Sequence, residues 1–141
     1  MYINRTKIKV RYVETDQMGI VHHSNYYAWF EVGRTEFITE SGMSYSEMES
    51  EKLLLPVVES GCRYIEGAKY EDELIIETFI EKLSGAKVIF NYNVIREKDN
   101  KLLAKGTTTH AFVNDSFKVI NLKKKNTNIW NKLEKLAVSN S

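Results

Sequence analysis

An α+β fold, with one long buried helix packed on an antiparallel sheet, is what this 141-residue chain predicts, and three observations carry it. Ser24 to Ser41 has no proline and is apolar round most of its circumference, the pattern of a helix enclosed by protein. Segments alternating apolar and polar residues lie before and after it, the period of half-buried strands. The later strands are joined by short turns, which favours antiparallel pairing. The length suits one domain, residues 1–141, with a core over about 7–122 and a tail carrying a short helix over about 128–138.

Lys7 to Val13 reads as the first strand, with Ile8, Val10 and Tyr12 on one face and Lys7, Lys9 and Arg11 on the other. It runs into Glu14-Thr15-Asp16, so Asp16 stands just past a strand end, and Gly19 supplies freedom for a turn. Ser24 or Asn25 caps the long helix and Gly42 stops it. Tyr26, Trp29, Phe30, Gly33 and Phe37 share one face. Glu31, Arg34 and Thr35 form a narrow polar strip, in which Glu31 and Arg34 are expected to pair at i,i+3 spacing. Glycine inside a helix costs about 1 kcal/mol against alanine, so close packing is expected at Gly33. Ser44, with Glu47 three residues on, starts a second short helix to Glu51. Pro56 opens an extended segment over 57–64, and a turn region covers 66–72.

Three strands follow, Leu74 to Leu83, Lys87 to Arg96 and Leu102 to Val113, broken at Ser84-Gly85 and at Lys98 to Lys101. From about Lys123 the chain is expected to be loosely structured until a helix over Asn128 to Val138, striped by Ile129, Leu133 and Leu136. One sheet cannot hide every side of an apolar helix, so a second copy of the chain is expected to help.

The formal charge of +1 gives no field that would draw a nucleic acid. Cys62 is the lone cysteine, so no internal disulfide forms, and a reducing cytoplasm is the expected location. The first five residues lack the apolar stretch of a secretion signal. The longest apolar run, Leu53 to Val58, is too short for a membrane span and contains Pro56. Asp16, His22 and His23 stand close in sequence, but with no HExxH or cysteine partner they make a poor metal set. No metal and no cofactor is expected.

Thr15-Asp16-x-x-Gly19-Ile20-Val21-x-His23-x-x-Tyr26 closely resembles the signature of the 4-hydroxybenzoyl-CoA thioesterase family, nearest to its YbgC-type acyl-CoA thioesterases. Tyr27-Ala28-Trp29-Phe30-Glu31-x-x-Arg34-Thr35-Glu36 is similar to the same branch, as is Tyr64 followed by Asp72-x-Leu74. The likeness runs from about Lys7 to Val113. It implies a hotdog fold, a long central helix wrapped by a curved antiparallel sheet, in a homodimer and often a tetramer built as a dimer of dimers. It implies hydrolysis of an acyl-CoA, or an acyl carrier protein thioester, to free acid and thiol. Gly67-Ala68 and Leu122-Lys123-Lys124-Lys125 depart from the family's proline-bearing pattern, which bears on acyl preference more than on the reaction.

The resemblance makes Asp16 the catalytic carboxylate. Thioester hydrolysis needs a nucleophile or a base for water, and Asp16 suits either role. The competing reading has Asp16 capping the turn before the helix. The matching position of His23 places its backbone N–H at the positive end of the helix, aimed at the thioester oxygen. Gly19, Ile20, Val21, His22 and Tyr26 are expected to bind substrate, with His22 as wall. His110, mid-strand, reads as a satisfied sheet residue, and Cys62 as a strand residue rather than a nucleophile. Two alternatives stay open: a hotdog hydratase or dehydratase pairing His23 with Glu31, and a non-catalytic acyl-CoA binder.

Overall fold

The computed structural model describes residues 1–137. The elements are β1 (Asn4–Lys9), a 3-10 turn (Tyr12–Glu14), α1 (Asn25–Glu40), α2 (Tyr45–Ser50), β2 (Val57–Tyr64), β3 (Glu73–Leu83), β4 (Lys87–Arg96), β5 (Lys101–Ala111), α3 (Leu122–Lys125) and α4 (Thr127–Ala137). The strands form one five-stranded sheet in the order β1-β3-β4-β5-β2, antiparallel throughout. β3, β4 and β5 are the meander that the alternation predicts. β2 crosses over to pair with β5 at the edge, Ser60 opposite Thr108 and Tyr64 opposite Ala104. Register shifts interrupt the ladders between Ile80 and Lys82 and between Val94 and Ile95, irregularities of the kind that bend a strand.

The helix α1 lies on one face of the sheet, packed against β3, β1 and β4. Two glycines set how closely. A Cβ at Gly33 would fall 2.9 Å from Cγ2 of Ile76 on β3, and one at Gly106 on β5 would run into the Phe30 ring. Phe30 stacks on Tyr92 with ring centroids 4.5 Å apart, and Phe37 meets Phe90 edge-on at 5.6 Å. The close approach expected at Gly33 is therefore real, and its cause is Ile76 and Thr78 beneath the helix.

Four expectations are corrected. β1 begins at Asn4 and ends at Lys9, not over Lys7 to Val13. Val10 is buried, but Tyr12 and Val13 stand 76% and 79% exposed. The chain leaves the sheet because Glu14, not Tyr12, takes the inward place and its carboxylate accepts from the Arg11 amide at 2.7 Å. The helix α1 is buried on one side only: Tyr27, Ala28 and Val32 face outward, because the sheet covers a single face. Glu31 and Arg34 do not pair. Arg34 sits over the sheet and donates to the hydroxyls of Tyr45 and Tyr92, both at 3.1 Å, while Glu31 faces outward. The stretch from Lys123 is helical, since α3 is capped by the Asn121 side chain and Lys123 lies over the Trp130 ring. The final helix carries Ile129, Trp130 and Leu133 into the core; Val138 lies outside the described residues.

His110 is satisfied, as expected. Its Nδ1–H donates to the Leu55 carbonyl at 3.0 Å, and its Nε2 accepts from the Thr108 hydroxyl at 2.8 Å. Thr108 accepts in turn from Tyr92 at 2.6 Å.

Candidate active site

The 3-10 turn, the loop over 15–24 and the start of α1 make one unit, and Glu14 holds it together. Its side chain is only 5% exposed, and it accepts from the Trp29 indole at 2.9 Å as well as from the Arg11 amide. Burial alone would raise this carboxyl; the hydrogen bonds from Arg11 and Trp29 and the Arg11 charge outweigh it and hold Glu14 below the ordinary carboxylate range. The Glu14 carbonyl accepts from the His22 amide at 2.8 Å and from the Asn25 side chain at 3.0 Å. The loop is thus closed at its base, with Thr15 bridged to Val21. Sequence reasoning passed over Glu14. Its signal was the tryptophan one turn into the helix, whose indole N–H needs an acceptor when buried.

Asp16 stands at the tip of this loop. One carboxylate oxygen accepts from the Met18 amide at 2.8 Å, so the turn-capping role weighed against catalysis is present. The Gly19 amide closes the turn on the Asp16 carbonyl at 3.0 Å, with Gly19 at φ +80°, the left-handed region glycine favours. The second carboxylate oxygen has no hydrogen-bond partner among the described residues.

Asp16 borders a cleft of about 190 Å³, walled by Ile20, Val21, His23, Tyr26 and Tyr64. Val21 and Tyr26 present buried side chains there. Tyr26 is anchored by the Ala68 amide, which donates to its hydroxyl at 3.3 Å. Tyr64 reaches in from β2; desolvation and the Cys62 thiol keep its phenol well above the usual value, so it stays protonated and donates to the His23 carbonyl at 3.4 Å. Burial also raises the Cys62 thiol, which fits a strand residue rather than a nucleophile.

The start of α1 borders the same cleft through Tyr26, with His23 just before it. Ser24 holds the N-cap position, but its side chain does not cap. The Ser24 hydroxyl and amide both donate to Nδ1 of His22, at 2.7 and 3.2 Å, and this ring stacks on His23 at 4.3 Å. The His23 amide donates to no acceptor among the described residues. It is a free donor at a helix N-terminus, beside the cleft that Asp16 borders.

Of the residues expected to bind substrate, Ile20, Val21 and Tyr26 line this cleft. Gly19 borders a second groove that also touches Asp16, and His22 is exposed outside the cleft. Glu31 lies on the outward face of α1, so the fold does not bring it to the cleft with His23. Gly67, where the family pattern carries a proline, packs so closely that a Cβ would meet Ile20 at 2.9 Å. Among the described residues no three His, Cys, Asp or Glu side chains converge as a metal site, and no helix is long and apolar enough to cross a membrane.

Comparison with known proteins agrees with this architecture. The family described as the thioesterase-like superfamily matches residues 10–127. The chain is 40% identical over 125 residues to a putative acyl-CoA thioesterase, YneP, of Bacillus subtilis, covering 88% of this chain and 90% of the relative. It is 31% identical to the acyl-CoA thioesterase YbgC of Haemophilus influenzae, over 75% and 77% of the two chains. The solved DHNA-CoA thioesterase of Staphylococcus aureus superposes with a TM-score of 0.89 at 32% identity, over 96% of this chain and 91% of that one. With a family match over most of its length and relatives above 30% identity, the chain belongs to the thioesterase-like superfamily and, within it, to the YbgC-type thioesterases.

Proposed function

We propose that the protein hydrolyses an acyl-CoA thioester in the cleft beside Asp16. The single observation that carries this reading is that Asp16, with a partnerless carboxylate oxygen, and His23, with a free amide just before α1, both line one small cleft. The amide donates to the carbonyl oxygen as negative charge develops there, and the α1 dipole favours that charge. The Asp16 carboxylate either adds to the carbonyl carbon, giving an anhydride that water opens, or takes a proton from the water that adds. In both routes the C–S bond breaks and the thiol leaves with a proton. The Met18 amide fixes the direction of the carboxylate by holding its other oxygen. The acyl-CoA class follows from the relatives named for that activity.

The working unit we infer is a homodimer joined along β2. That strand is a sheet edge whose side chains are nearly all exposed, Val57 and Val58 among them. The opposite edge, β1, carries Arg5, Lys7 and Lys9, charges of the sort that discourage edge pairing. Tyr64 belongs to both β2 and the cleft, which supports a site beside that joint. A cytoplasmic location belongs to the same reading, supported by the single cysteine.

Thiol release from a panel of acyl-CoAs tests the reaction. Native protein is expected to hydrolyse at least one member, and Asp16→Asn to lower kcat about a thousandfold or more with an unchanged melting temperature. Turnover that survives in Asp16→Asn removes Asp16 from the mechanism.

A further inference from the structure

A thioester joins two unlike halves, and they leave the reacting carbonyl in different directions. Asp16 is shared by two depressions. The first is the cleft of about 190 Å³ described above. The second is a larger groove of about 730 Å³, lined besides Asp16 by Tyr12, Val13, Tyr70, Thr15, Gln17 and Gly19. The mechanism leaves this second groove without a use.

Its aromatic wall is built, not loose. Tyr12 and Tyr70 meet edge-on with ring centroids 5.5 Å apart, yet stand 76% and 53% exposed. Both are anchored from behind. The Tyr12 carbonyl accepts from the Thr15 hydroxyl at 2.7 Å, and the buried Glu14 fixes the turn. Tyr70 sits in a loop tied to Val10, whose amide donates to the Asp72 carbonyl at 2.9 Å and whose carbonyl accepts from Glu71 at 3.2 Å. Glu71 is held at φ +70°, a conformation that costs a non-glycine residue energy and that this pairing maintains. Large apolar side chains kept exposed on a rigid frame mark a binding surface. Arg11 and Lys69, each next to one of the tyrosines in the chain, are also exposed, Arg11 with one guanidinium nitrogen 3.4 Å from the Glu14 carboxylate.

We propose that this groove receives the nucleotide end of the CoA thiol, its adenine stacked on the Tyr12–Tyr70 pair, while the acyl group occupies the smaller cleft. The assignment rests on the thioesterase reading of Asp16. The smaller cleft is lined by His23 and by the apolar Ile20, Val21 and Tyr26. The open groove suits the carrier half, whose aromatic base offers a face to tyrosine and whose phosphates suit exposed cations.

The test compares one acyl group presented on CoA and on N-acetylcysteamine, which lacks the nucleotide, for native protein, Tyr12→Ala, Tyr70→Ala and Tyr12→Phe. Alanine at either position is expected to raise KM about fivefold or more for the CoA thioester, leave the truncated thioester unchanged, and weaken free CoA in calorimetry by a like factor. Tyr12→Phe keeps the face and is expected to behave as native. Equal loss on both thioesters would mean the groove holds the acyl group and overturns the assignment, as would no loss on either. A change of oligomeric state in Tyr12→Ala would make the pair a subunit contact and also overturn it. If native protein hydrolyses neither thioester, the thioesterase reading itself fails; if it hydrolyses both and the variants match it, only this assignment fails.

Discussion

His110 ends a hydrogen-bond chain that runs one way. Arg34 donates to Tyr92, Tyr92 to Thr108, Thr108 to Nε2 of His110, and Nδ1–H of His110 to the Leu55 carbonyl. Only a neutral ring, protonated on Nδ1, completes it. Burial, with the Arg34 charge adding to it and the Leu55 carbonyl opposing, lowers the His110 pKa to about 4. An unfolded histidine titrates near about 6.5, so between these values the unfolded chain binds the extra proton and stability rises with pH. Lowering the pH from 7 to 4.5 is therefore expected to cost on the order of 2–3 kcal/mol, and thermal melts of native protein and His110→Gln at the two pH values check it. The variant is expected to lose less on acidification.

At the scale of elements, the distance between α1 and the sheet is set by absent side chains. Gly33 meets Ile76 and Thr78, and Gly106 lies beneath Phe30. Gly33→Ala improves helix propensity by about 1 kcal/mol, but the added methyl has no room. Overpacking of this kind costs about 1–3 kcal/mol, so a net loss of stability is expected, read by denaturant unfolding. Because α1 also supplies Trp29 to Glu14 and Tyr26 to the cleft, and follows directly on His23, a lifted helix is expected to lower kcat as well. A variant as stable as native would show that the helix can ride up without cost.

For the whole molecule the question is what covers the outer face of α1 and the edge of β2. Tyr27 and Val32 on the helix, and Val57 and Val58 on the strand, are exposed in one copy. A dimer through β2 would pair that edge. Sedimentation is expected to give about twice the chain mass of 16.4 kDa, and Val58→Lys with Ser60→Lys to shift it toward one chain, since lysines on an edge strand oppose pairing. A monomeric native protein would remove the dimer from the functional reading.

Much of this protein is local, and what is local was legible. The alternation Val88, Phe90, Tyr92, Val94 marks β4 to the residue, because a strand with one buried face must repeat every two residues. Ser24 and Gly42 bracket α1, and the spacing from Asp16 to His23 sets a loop end against a helix start. Where the reading failed, the deciding partner was distant in sequence. Tyr12 fits a strand pattern, yet the inward place goes to Glu14, whose acceptor is claimed by Trp29 fifteen residues on. Arg34 has a glutamate at the right spacing, yet it bonds to Tyr45 and Tyr92 across the core. The groove of Tyr12 and Tyr70 joins two segments that only the Val10–Asp72 pairing brings together. Periodicity and capping act within a turn or two of chain; which polar group a buried donor finds, and which clefts meet at one carboxylate, depend on contacts that exist only after the sheet has closed over the helix.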